Sequence, residues 1–175
     1  VQQDDFKNFI KENNFKDYDD CLRNKSDYYA SLKEYVNFMS RMIYEEEQLG
    51  KKKKGNGKYS SYIKIHTTPS QGISLLITKK RSQILKKVME KITQNNDKIT
   101  IKYFSLYDKV DKIVEFDTKI EINNHISKNM TITSFTINDL LFKISKIETD
   151  FFILIQDVYN KITTEFNKLE ESFYE

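Results

Sequence analysis

Apolar side chains in the last quarter of the chain recur with a spacing that identifies the element before anything else is considered. Leu140, Ile144, Ile147, Phe151, Ile155, Val158, Ile162, Phe166, Leu169 and Phe173 follow one another at steps of four and three, mostly alternating, with polar residues between them. Leu140, Phe151, Ile162 and Phe173 fall on an 11-residue repeat. That repeat is about 3.67 residues per turn, which keeps the stripe on one face of a nearly straight helix. At 1.5 Å per residue the stripe extends on the order of 50 Å and needs a partner of similar length. Thr136 with Asp139 three positions on supplies an N-terminal cap related to the capping box. A second helical pattern, from about Ser26 to Leu49, carries Leu32, Val36, Met39 and Ile43 and stops at Gly50. The two helices are expected to lie antiparallel, with the stripe buried against the Leu32–Ile43 face and both termini at one end.

Between them the period changes from helical to alternating. Ile63–Thr67 and Ile73–Thr78, separated by Thr68-Pro69-Ser70-Gln71-Gly72, read as a β-hairpin with Gly72 at the reversal. A short amphipathic helix follows after Ser82, with Ile84, Leu85, Val88, Met89 and Ile92 on its apolar side and Asn95-Asn96-Asp97 ending it. Lys98–Phe104 alternates as a strand, and Val114, Phe116, Thr118, Ile120 and Ile122 share one face of another. The expected fold class is α+β: long antiparallel helices carrying a small antiparallel sheet and a short helix. Three segments result: a helical segment at 1–58, an α+β unit at 59–133 and a returning helix at 134–175.

The order of these patterns resembles the lever and clamp domains of the MutS family of DNA mismatch-repair proteins, and three patches carry the resemblance. Ile63-Lys64-Ile65 through Gly72, Leu75, Ile77, Thr78 and Lys79 matches the family's clamp hairpin, with Ile73 and Ser74 in place of its two tyrosines. Ser134-Phe135-Thr136-Ile137-Asn138-Asp139-Leu140 is similar to the segment opening the returning lever helix, with Ser134 for Arg and Asn138 for Pro. Tyr18-Asp19-Asp20-Cys21-Leu22 is similar to the opening of the outgoing one. The resemblance implies a clamp that closes over the duplex DNA backbone without reading sequence. It also implies a parent protein that pairs with a second MutS-like subunit and uses ATP and Mg in an ATPase domain outside this chain; the chain itself would hold no cofactor. His125-Ile126-Ser127-Lys128-Asn129 matches a DNA-contacting motif of the family at Lys128 and Asn129, with two extra residues before Phe135.

Charge supports the same region on separate grounds. The 175-residue chain has a net charge of only +3, too little to mark a nucleic-acid binder by itself. From Lys51 to Lys91, however, Glu90 is the only acid among many lysines. Local clustering is what phosphate binding requires, because salt screens charges beyond about 8 Å. Lys79, Lys80 and Arg81 stand where a strand gives way to a helix, so cationic side chains would meet helix N-terminal amides, both of which favour phosphate oxygens. Lys79, Lys80, Arg81, Lys128 and Asn129 are the candidate DNA-binding residues; the bland alternative is a solvated β-to-α junction.

Other chemistries find little footing. Gly50-Lys51-Lys52-Lys53-Lys54-Gly55 has the outer spacing of a phosphate loop, but Asn56-Gly57 follows where Lys-Ser or Lys-Thr is required. His66 and His125 lack metal-ligand spacing, and the adjacent acids Asp19-Asp20 and Glu45-Glu46-Glu47 read as solvated helix ends. One cysteine, Cys21, excludes an intramolecular disulfide and reads as a small packed side chain. No apolar run is long enough to span a membrane, no signal segment opens the chain, and an intracellular setting is the default expectation. The absence of an initial Met fits an excised domain. Lys, Asn and Ile in abundance fit an A+T-rich genome, such as a viral or organellar member of the family would have. Against the non-enzymatic clamp stands a reading from another class, a coiled-coil interaction or scaffold module with an inserted sheet. An enzyme with an unrecognised carboxylate site is a third.

Overall fold

The computed structural model describes residues 15–49, 62–68, 72–125 and 129–174, with side chains through Leu169. Among the described residues three helices and six strands follow one another as α1 (Lys16–Gln48), β1 (Ile63–Thr68), β2 (Gly72–Thr78), α2 (Lys79–Thr93), β3 (Lys98–Ser105), β4 (Val110–Asp117), β5 (Glu121–Asn124), β6 (Asn129–Thr133) and α3 (Phe135–Tyr174). The class is α+β with two long helices, as the periodicities predict.

Helix α1 begins ten residues earlier than its apolar spacing announces, because Tyr18 and Cys21 extend the buried stripe toward the N-terminus. Tyr18 stacks on Phe151 of α3 at 5.5 Å, the Cys21 thiol approaches the Ile147 carbonyl, and the Tyr29 hydroxyl donates to Glu148 at 2.6 Å. From Tyr18 to Cys21 the α3 partner moves back from Phe151 to Ile147, and the pair is antiparallel. Contrary to expectation, the stripe does not lie wholly against Leu32–Ile43. Its first residues, Leu140 and Ile144, join Leu32, Tyr35, Val36, Met39 and Ile43 in the core, while Ile147 and Phe151 meet the first half of α1. Val158 is buried, whereas Ile162, Phe166 and Leu169 are exposed.

Helix α3 is capped by Ser134 rather than Thr136. The Ile137 amide donates to Ser134 Oγ at 3.1 Å, which satisfies one of the otherwise unpaired first-turn donors. Thr136 instead exchanges hydrogen bonds with Asp117, tying the start of α3 to the end of β4. Asp139 pairs with Lys143 one turn on.

The strands form two antiparallel sheets, one of four strands in the order β1-β2-β6-β5 and one of two, β3-β4. The hairpin has the expected register, Ile63 opposite Ile77 through Thr68 opposite Gly72; the Pro69-Ser70-Gln71 reversal lies outside the described residues. Gly72 sits at φ +68°, a left-handed conformation that a side chain disfavours. In central strand β2 both faces are covered, so Leu76 is buried along with Ile73, Leu75 and Ile77. The single strand expected across Val114–Ile122 is two strands in different sheets. Thr118 explains the break: its amide donates to Asp97 and its hydroxyl to Asn96, which ends the β3-β4 ladder and redirects the chain. Strand β6, in the stretch read only as a motif, pairs with β2 and β5.

One apolar core runs through all three expected segments. It contains Leu32 to Ile43 of α1, Ile63, Leu75 and Ile77 of the hairpin, Leu85 and Met89 of α2, Ile99, Ile101 and Phe116 of the second sheet, Ile132, and Ile137 to Ile144 of α3. Both sheets and α2 therefore pack on the helices themselves.

Candidate nucleic-acid interface

Helix α2 starts at Lys79, three residues before the expected Ser82. The ladder of β2 with β6 ends at Thr78, which pairs with Asn129 and stays extended at φ −71°, ψ 149°, and the chain turns helical at the next residue. Buried Ser82, Leu85, Val88 and Met89 then define the inward face. Lys79, Lys80 and Arg81 consequently form the first turn itself. That turn contains no acidic residue, and Thr78 makes no side-chain capping bond. The first-turn amides of a helix lack intrahelical acceptors and carry the positive end of its dipole. Cations placed there raise the local positive potential, and an anion is the group that relieves it.

The three basic residues differ in their surroundings. Lys79 and Lys80 are exposed, and among the described residues neither makes an ion pair. Arg81 is engaged: its guanidinium lies 3.6 Å over the Tyr62 ring, and its Nε is 3.8 Å from Glu47 in the last turn of α1. Tyr62 also donates to Glu47 at 3.2 Å, and burial with that bond raises its phenol's pKa. Lys91 adds a second tie from α2 to α1 through Glu46 at 3.2 Å. Arg81 thus fastens the β2–α2 junction to the end of α1 remote from Lys16, and so to the end of the molecule away from both described termini.

Asn129 is brought to the same place by its pairing with Thr78, next to Lys79, and its carbonyl accepts the His125 amide. Lys128 lies outside the described residues, as do Lys51–Lys54, Lys58 and the rejected phosphate-loop pattern. Two further cations belong to this face. Lys86 and Lys87 are exposed on α2 seven positions after Lys79 and Lys80, so they lie two turns along the same side, with exposed Gln83 between. The face is about 12 Å long at 1.5 Å per residue. Seven-residue spacing was the signal in the sequence, hidden by the assumption that the helix began at Ser82.

The histidines that appear unrelated in sequence do meet: the His66 and His125 rings are 6.3 Å apart, nearly perpendicular. Among the described residues no group of three or more His, Cys, Asp or Glu side chains is placed to hold a metal ion, and no helix is long and apolar enough to cross a membrane. No family model, no curated protein and no solved structure matches this chain.

Proposed function

We propose that this chain is a contact module for the duplex DNA backbone, corresponding to the lever and clamp portion of a MutS-like mismatch-repair protein. The observation that supports this reading best is the cationic first turn of α2, without a side-chain cap, beside Asn129 and at the end of the molecule opposite the described termini. Such a site neutralises phosphate charge and offers amide donors without reaching base edges, so it binds without reading sequence. The module performs no reaction in isolation; ATP and Mg would act in domains of the parent protein beyond this chain, as would the second subunit.

Salt dependence tests the proposal. Each phosphate neutralised adds about 0.9 to the negative slope of log affinity against log salt. Lys79→Ala with Lys80→Ala should therefore flatten that slope by up to about 1.8 and weaken matched and mismatched duplexes alike. Arg81 stays unaltered in this test, because its removal would also loosen the junction. A slope unchanged in the double variant would reduce the first turn of α2 to a solvated junction.

A second reading, as a helical association module, is favoured by a different observation. Phe152, Tyr159 and Phe166 recur every seven residues on α3 and are exposed, with Ile162 and Leu169 also exposed nearby. Self-association that is insensitive to salt, with no DNA binding, would favour that reading.

A further inference from the structure

His66 and His125 are the chain's two histidines, 59 positions apart in sequence, and the fold sets their rings 6.3 Å from one another. Their placement is unusual for the sheet they belong to. His66 lies in β1 and His125 directly follows β5, and these are the two edge strands. In a flat sheet, edges three strand intervals apart would be about 14 Å from each other. The two imidazoles nevertheless reach across the sheet to meet.

We propose that His66 and His125 form a two-imidazole site for a borderline divalent transition ion, Zn(II) in the first instance, which clips edge strand β1 to the end of β5. Imidazole nitrogen is a ligand of choice for such ions, and carboxylate-preferring Mg(II) is excluded by the donor set. With Zn–N bonds of about 2.0–2.1 Å, two imidazoles on one ion hold their ring centres roughly 5–6 Å apart. The observed separation therefore needs a small approach and a ring rotation. His66 is exposed and His125 half-buried, so an ion from solution can reach both rings. Water completes the coordination, so this is a clip on a formed sheet rather than a closed site on which folding depends. Cys21 does not compete, since it is buried under α3 and burial pushes its thiol pKa up. The site is separate from the α2 face and stands whether or not that face binds DNA.

The test is a titration of the whole chain with ZnCl2, followed by calorimetry and by the two histidine ring resonances in NMR, with MgCl2 as control. One equivalent of Zn(II) should bind saturably, shift both resonances together and leave the Mg(II) trace flat. Loss of a supporting hydrogen bond at a metal site already costs 10–100-fold in affinity. His66→Gln and His125→Gln, each with unchanged far-UV circular dichroism, should therefore each weaken binding about tenfold or more. Affinity unchanged in either variant, a shift of one resonance alone, or no saturable binding would overturn the proposal.

Discussion

Tyr35 tests the reading of the core most directly. Its side chain is fully buried, its ring lies 4.0 Å from that of Phe116 and nearly parallel, and its hydroxyl has no hydrogen-bond partner among the described residues. Burial and the nearby Asp117 charge both disfavour the phenolate, so the group remains protonated throughout the useful pH range. Tyr35→Phe keeps the stacked ring and the buried area and removes only the stranded hydroxyl. Leaving a buried polar group unsatisfied costs about 1–3 kcal/mol, whereas the space left by one oxygen costs less. The variant should therefore be more stable by about 1 kcal/mol. With a urea m value of about 2 kcal/mol/M, the midpoint should rise by about 0.5 M at unchanged slope. Tyr35→Ala gives the opposite sign, a loss of about 3–5 kcal/mol from the missing ring. Equilibrium urea unfolding followed by circular dichroism decides the matter. A lower midpoint for Tyr35→Phe would mean that the hydroxyl is bonded after all, for instance to a buried water, and would refute the reasoning.

Two other outcomes follow from backbone and charge. Gly72→Ala should cost about 1–2 kcal/mol in urea unfolding, because a Cβ there finds ordinary contact, 3.6 Å from Ser145 Oγ, and only the left-handed φ is at fault. Lys112 bridges Asp27 and Asp108, and its hydrogen bond, opposed in part by desolvation, holds the Asp108 carboxyl below its usual pKa. A carboxyl depressed by folding stabilises above its unfolded pKa of about 3.9 and loses that contribution as pH falls through the folded value. Wild-type stability should therefore drop below about pH 4 more steeply than that of Asp108→Asn, measured as urea midpoints across pH.

What the sequence disclosed depends on how far each signal extends along the chain. The α3 stripe and the hairpin were legible because a period repeated many times over, or a turn glycine between alternating runs, depends on no distant residue. The start of α2 was not. Lys79, Lys80 and Arg81 have no apolar period of their own, and the end of the preceding strand is set by pairing of Thr78 with Asn129, about fifty residues away. The division of Val114–Ile122 was hidden in the same way, since alternation continues through Thr118 while its hydrogen bonds to Asn96 and Asp97 end the ladder. Of the candidate site, the basic residues could be found by composition alone, but the engagement of Arg81 with Tyr62 and Glu47 could not. Nor could the meeting of the two histidines, which belong to opposite edges of one sheet.

The unbroken core constrains how the molecule can move. Leu32, Tyr35 and Met39 of α1 share one packed cluster with Leu75, Phe116 and Ile132 of the two sheets, and with Ile137 and Ile144 of α3. A swing of the sheets relative to the helices would have to expose that cluster, at roughly 25 cal/mol for every Å² of apolar area opened. Amide exchange should then proceed through a single large opening shared by α1, β2 and the start of α3, with the last turns of α3 exchanging independently and sooner. Force applied along α1 would then reach this cluster as displacement of one packed block, not as a hinge between the sheets and the helices.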